Sequence, residues 1–231
     1  MSVILVTGGN KGIGRETARR LADLGHTVYI GSRDSLRGRN TAAEIGVGVL
    51  ALDVTDDESV AAAARELGRR ENRLDVLINN AGIADEPPEL ADLTISHLQR
   101  TFDANFFGAV RAIHGFLPLL RKARTPVIVN VSSGLGSFGL ITNPRRVESE
   151  HLMPAYGSSK AALNMLTLQY ANALPDFKVN AAVPGYTSTD LTNNSPGQSA
   201  CEGSDAVVEL ALVGANGPTG TLSDRHGPLP W

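Results

Sequence analysis

The sequence predicts an α/β fold: one doubly wound domain whose seven-stranded parallel sheet is covered by helices on both faces. Three observations carry that expectation. Short apolar runs rich in β-branched residues alternate with helix-period segments almost to the end of the chain. The first run, VILV (Val3 to Val6), leads straight into the glycine-rich TGGNKGIG, Thr7 to Gly14, and then into a helical pattern. Two later runs, LDVLINNAG (Leu74 to Gly82) and PVIVNV (Pro126 to Val131) with Ser132-Ser133-Gly134 behind it, end in small polar residues. Parallel sheets bind ligands outside such carboxyl ends.

The first strand, 2–7, is a continuous apolar run and so is buried on both faces. Ile13, Thr17, Leu21 and Leu24 then recur at helical spacing over 12–24, and Gly25 supplies the stop. Strands at 27–32 and 47–52 flank a helix at 35–45. Thr55-Asp-Asp-Glu58 spells a capping box for a helix at 56–70. A strand at 74–79, a long helix at 91–121 and a strand at 126–132 follow. A helix at 155–173 ends ahead of Pro175. Strands at 177–183 and 219–222, with a helix at 203–212 between them, complete a single domain over 1–231. Residues 134–153 and 186–204 are its substrate-side loops.

Composition narrows the function classes. A chain of 231 residues suits one sizeable core and is short for two domains. With 42% hydrophobic and 19% charged residues it reads as a soluble globular protein and not a disordered one. A net charge of −3 offers no basic field for nucleic acid and no polybasic face for a membrane. No apolar run approaches the ~20 residues of a membrane span. The single cysteine, Cys201, has no internal disulfide partner, which fits a cytoplasmic location. The five histidines (26, 97, 114, 151, 226) lack metal-like pairing, so they read as surface or satisfied residues and no metal is expected.

Two stretches carry chemistry. The glycines of TGGNKGIG allow a sharp turn and close backbone approach beside a helix start, which makes a phosphate-binding turn. In AYGSSKAALNML, Tyr156 and Lys160 lie four apart and share a helix face. A free phenol has a pKa of about 10; a nearby ammonium favours the phenolate. Bringing it toward 7 takes ~4 kcal/mol, roughly what a unit charge supplies at ~4 Å with an effective dielectric near 20.

Taken together these segments resemble the short-chain dehydrogenase/reductase family. TGGNKGIG matches its TGxxxGxG, INNAG its NNAG, and Tyr156 to Lys160 its YxxxK; Asn105, Ser133, and Pro184-Gly185 with Thr189 fall in the family's order. The match runs from Val3 to about Gly220. The resemblance implies a Rossmann-fold, carbonyl-reductase-like enzyme that moves a hydride between NADP(H) and a small-molecule carbonyl or alcohol, acting as a reductase. Tyr156 would donate the proton, and Ser133 would hydrogen-bond the same oxygen; Ser132 is its rival, but the second serine matches the pattern. Lys160 would hold the nicotinamide ribose, and Asn105 would keep a water in the proton relay, with a core amide as its alternative. The cofactor contacts implied are Gly8, Asn10, Lys11, Gly12, Ile13 and Gly14 in the loop, and Asp53 with Val54 at the adenine. Asn80, Ala81 and Gly82 would lie near the ribose, and Pro184, Gly185, Thr187 and Thr189 near the nicotinamide. Asp53 has a helix-entry role as its alternative.

The coenzyme preference rests on the second strand, TVYIGSRD. Ser32, a further implied cofactor contact, stands where NAD-preferring members carry an acid, while Asp34 comes two positions late and starts the next helix with Ser35. Arg33 and Lys11 would meet a 2′-phosphate, which selects NADP(H). Ser133 and Tyr156 are 23 residues apart, longer than usual in the family, and the segment after Thr189 is short. A wide or shallow pocket is expected. The family's association mode implies a homodimer or homotetramer through helices 91–121 and 155–173, with Leu163, Leu166 and Leu168 on the latter; a monomer stays open. The rival reading is a non-catalytic nucleotide-binding sensor or scaffold, against which the presence of both Tyr156 and Lys160 speaks.

Overall fold

The computed structural model describes residues 1–85, 89–192, 194–195 and 197–231. Its sheet has the order β3-β2-β1-β4-β5-β6-β7-β8. The strands are β1 (Val3–Thr7), β2 (Thr27–Ser32), β3 (Gly48–Ala51), β4 (Val76–Asn79), β5 (Val127–Val131), β6 (Lys178–Ala182), β7 (Leu222–Asp224) and β8 (Gly227–Pro228). The first seven run parallel, and β8 folds back antiparallel on β7. That last hairpin was absent from the sequence expectation. It turns because Asp224 accepts a hydrogen bond from the His226 N–H and Gly227 takes a φ of +125°, open in practice only to glycine.

Strand order reverses between β1 and β4, which pair directly through Ile4–Val76 and Val6–Ile78. The chain therefore goes out from β1 in both directions, and the crevice between Thr7 and Asn79 is the switch point where such sheets take ligands. Alternate residues of β1 enter opposite cores. Leu5 joins Leu77, Phe116 and Ile128 on the face covered by α3 (Asp57–Glu71) and α5 (Gly108–Leu120). Ile4 and Val6 join Leu21, Ile78 and Val207 under α1 (Gly12–Asp23) and α9 (Asp205–Ala211).

Several elements differ from expectation, each for a local reason. The long helix at 91–121 is a turn at Leu90–Asp92, then α4 (Ile95–Phe102), a π-helical turn at Asp103–Phe107 and α5. Thr94 starts α4, its hydroxyl accepting from the His97 N–H in a capping box. The wide turn holds Asn105, whose side chain exchanges hydrogen bonds with both backbone groups of Ile83. The box expected at Thr55–Glu58 gives way to a one-sided cap one residue later. Asp56 caps α3 by accepting from Glu58 and Ser59, while the Thr55 hydroxyl turns back to Asp53. Asp34 does cap α2 (Ser35–Ile45), accepting from the Arg37 N–H. The helix at 203–212 is split into α8 (Ala200–Gly203) and α9. Within 134–153 a turn at Gly134–Gly136 and the short α6 (Phe138–Ile141) are ordered by Ser133 and Ser137, which accept from following backbone N–H groups. Finally, α7 (Pro154–Ala173) buries Leu163 in this chain's own core and packs Leu166 against it, so those leucines form no free association face.

Candidate active site

The glycine loop is shaped by β4. The Thr7 hydroxyl accepts from the N–H groups of Asn80 and Ala81, and the Asn80 amide donates to the carbonyls of Thr7 and Gly8. Gly8 sits at φ +62° so close to Ala81 that a Cβ would lie 2.9 Å from its Cα. At Gly14 a side chain would collide with the Asn80 amide. The loop thus lies flat on the NNAG turn and leaves the start of α1 open. Its N-cap, Lys11, offers no side-chain acceptor, unlike the aspartates that cap α2 and α3. First-turn N–H groups and the positive end of the helix dipole face a cleft of about 430 Å³. Gly8, Asn10, Lys11, Gly12, Ile13 and Gly14 wall one side, and Arg33, Asp53 and Val54 the outer end; Asn80, Ala81, Gly82 and Thr189 also border it.

A second cavity of about 210 Å³ adjoins the first, with Ile13, Asn80, Gly82, Ala84, Thr189 and Leu191 bordering both. Ser133, Tyr156 and Lys160 line it, as do Pro184, Gly185 and Thr187. The Ser133 hydroxyl hydrogen-bonds the Tyr156 phenol. Ser132 is committed elsewhere: it is buried and donates to Asn164 Oδ1 at 2.5 Å. Lys160 Nζ lies 5.5 Å from the centre of the Tyr156 ring and donates to the Val131 carbonyl at 2.8 Å. Asn105 borders neither cavity; buried behind Gly82, it donates to Ser159 Oγ at 2.9 Å. A Cβ on Gly82 would lie 3.0 Å from Asn105 Oδ1 and 3.7 Å from Lys160 Nζ, so the glycine keeps these two groups apart from any intruding side chain.

The electrostatics correct one expectation. Burial pushes the Tyr156 phenol up to about 12, and its hydrogen bond from Ser133 opposes this only in part. Burial pushes Lys160 down to about 8. The pair shares a helix face, but the ammonium is drawn to a strand carbonyl. Burial is thus the largest influence on both groups.

Two residues expected to meet a coenzyme also differ from expectation. Ser32 is buried away from the cleft, its hydroxyl donating to the Asp34 carbonyl at 2.7 Å and its Cβ against Gly38. Lys11 forms an exposed ion pair with Asp190 at 2.9 Å. Asp53 serves the turn as well as the cleft: its Oδ1 accepts from the Thr55 N–H and hydroxyl. Burial raises its carboxyl, but those bonds, with Arg33 and Arg111, outweigh burial and hold it below its usual value.

Sequence reasoning missed Asp190, Glu148 and Asn164. Glu148 lines the second cavity, with Arg146 gripping both carboxylate oxygens at 3.0 and 3.1 Å. His151, in the 134–153 segment expected on the substrate side, borders the same cavity, its ring 6.2 Å from that of Tyr186. The polar residues at 160, 164 and 167, helically spaced on a buried face, were the one signal available for Asn164.

The short chain dehydrogenase family profile matches residues 2–199. The chain belongs to the short-chain dehydrogenase/reductase family. It is 34% identical to the short-chain dehydrogenase/reductase ATR10 of Stachybotrys chlorohalonatus, with 99% of this chain and 94% of that protein aligned. The (+)-neomenthol dehydrogenase of Capsicum annuum is 30% identical across 96% of this chain and 95% of its own. Among solved structures, the NADPH-bound carbonyl reductase from chicken fatty liver superposes with a TM-score of 0.88 at 25% identity, covering 100% of this chain and 99% of that one. As a family member the chain is an oxidoreductase of small molecules. Among the described residues no helix is long and apolar enough to cross a membrane.

Proposed function

We propose that the protein is an NADP(H)-dependent carbonyl reductase with Tyr156 as proton donor. The observation that carries this reading is the meeting of Ser133, Tyr156 and Lys160 in one cavity that opens onto the glycine-loop cleft. Bound NADPH would supply the hydride. The open start of α1 and Lys11 would receive its phosphates, Arg33 its outer end, and Thr189, at the junction of the cavities, the nicotinamide end. Asp34 caps α2, so no carboxylate at the end of β2 reaches for a ribose, which favours the 2′-phosphorylated coenzyme.

A carbonyl oxygen held between Ser133 Oγ and the Tyr156 phenol receives two hydrogen bonds, and charge developing on it draws the phenolic proton. Lys160, buried behind the ring, stabilises the phenolate that remains. Leu135, Val147, Met153 and Tyr186 give the cavity mainly apolar walls, which suits a compact apolar ketone or aldehyde. The reading extends to a single domain over 1–231, a cytoplasmic location and a homodimer or homotetramer. Phe107, in the turn between α4 and α5, and Met165 on α7 remain exposed; light scattering at a mass near 24 kDa over a wide concentration range would reject the oligomer. Loss of NADPH absorbance with a panel of ketones and aldehydes tests the activity. Turnover that survives Tyr156→Phe at half the wild-type rate would sink the assignment.

A further inference from the structure

The buried face of α7 bears Lys160, Asn164 and Thr167 at successive turns, and each meets one residue of the β5 end. Lys160 donates to the Val131 carbonyl, Asn164 accepts from Ser132, and Thr167 accepts from Asn130. Thr167 spends its own hydroxyl on the Leu163 carbonyl within α7, whereas Asn164 reaches out a second time: its Nδ2 donates to the Gly136 carbonyl at 2.9 Å. One amide therefore grips the chain on both sides of Ser133, at the residue before it and three residues after it. At Gly136 the turn lies directly against α7, since a Cβ there would stand 2.6 Å from the Lys160 carbonyl carbon. Ser133 caps the turn that follows β5 and Tyr156 stands on α7, and Asn164 is the side chain whose two bonds join the turn that carries one to the helix that carries the other.

We infer that Asn164 is a positioning residue: by bridging Ser132 and Gly136 it fixes the Ser133 hydroxyl against the Tyr156 phenol, so that both address one substrate oxygen. This rests on the carbonyl-reductase reading for its kinetic consequence, but the geometric claim stands apart from turnover. Replacing the amide by an isosteric apolar group leaves the Ser132 hydroxyl and the Gly136 carbonyl without their buried partner, and the turn moves to find others.

The test is a double-mutant cycle with NADPH and 4-nitrobenzaldehyde, paired with crystal structures. Asn164→Leu should lower kcat at least 10-fold while the Kd for NADPH stays within 3-fold. In a Ser133→Ala background the same change should cost less than 2-fold, because the group it positions is gone. A crystal structure of Asn164→Leu should show the Ser133 hydroxyl off the phenol with α7 in place. A full loss repeated in the Ser133→Ala background overturns the inference, as does a structure with the Ser133–Tyr156 contact intact. Should Asn164→Leu fail to fold, Ser132→Ala removes one arm of the bridge. It should give a 3- to 5-fold loss with the same non-additivity, and an unchanged kcat there overturns the inference. A wild-type protein inert toward carbonyls defeats the functional reading alone, and the crystal structures still decide the role of Asn164.

Discussion

The two ends of the cleft are built on different principles. At the inner end Lys160, Asn105, Ser132 and Asn164 are almost wholly buried, and each is tied by hydrogen bonds to a strand, a turn or a neighbouring helix. At the outer end Lys11 and Arg33 stand in solvent, and the partner of Lys11 is a carboxylate just as exposed. Burial fixes geometry and lowers the local dielectric, so small displacements there are costly. Exposed charges can re-pair at little cost and are screened by salt. The inner end should therefore govern rate, and the outer end choice of coenzyme.

The largest effect expected tests the inner end. On the proposed reading Tyr156→Phe removes the proton donor and leaves the walls of the glycine-loop cleft untouched, so kcat should fall by ~10²–10⁴. NADPH affinity, followed by its fluorescence on binding, should stay within a few-fold. A parallel loss of both would erase the distinction between the two ends.

Lys160 offers a second probe, of burial itself. Its folded pKa of about 8 lies below the ordinary value of 10.5, so between these pH values the unfolded chain holds the proton that the folded chain has lost. Stability from this group therefore rises with pH across that window, by on the order of 3 kcal/mol. Tyr156 works the other way only above pH 10, where the unfolded phenol ionises first. Urea unfolding of the wild type against Lys160→Met from pH 7 to 10 should show the wild type gaining relative stability as pH rises. A flat difference would mean that the ammonium is well solvated.

How much of this was legible in the chain follows the same division. The parallel strands, the glycine loop and the Tyr156–Lys160 face could be read because each is encoded within about ten consecutive residues: a continuous apolar run, a glycine spacing, an i,i+4 pair. The grip of Asn164 on Ser132 and Gly136 spans 28 to 32 residues and has no local signature. Leu163 and Leu166 show the limit of periodicity, which marks a face as apolar without saying what covers it; here the core does. Thr55 and Asp56 both suit an N-cap, and competition from Asp53 for the Thr55 hydroxyl decided between them. The Tyr156 pKa went astray because a pair four apart on a helix specifies proximity but not the burial that keeps the phenol protonated.

The outer end is tested through its two cations. Replacing Lys11 and Arg33 together by alanine should remove roughly 10² of the NADPH-over-NADH preference in kcat/KM, from two charge-assisted bonds discounted for exposure. kcat with saturating NADPH should hold. A wild-type enzyme that already prefers NADH would refute the assignment of these cations.

The smallest effect sharpens the contrast most, because it concerns the ion pair that sequence reasoning did not foresee. Lys11 holds the Asp190 carboxyl below its usual value, and the two form an exposed ion pair. Asp190 sits in the segment just past Thr189 and borders the same cleft as Lys11 and Arg33. A coenzyme phosphate that engages Lys11 must displace or share that carboxylate. Asp190→Asn removes the competitor while keeping size and hydrogen-bonding capacity. An exposed pair is worth ~0.2–1 kcal/mol, so NADPH should bind about 1.5- to 5-fold more tightly. NADH should change less, and the gain should shrink between low salt and ~0.5 M as screening grows. The opposite sign would be as informative. If Asp190→Asn weakens both coenzymes alike, the pair is a bridge holding the 190–192 turn over the cleft, and the outer end would share the fixed geometry of the inner one.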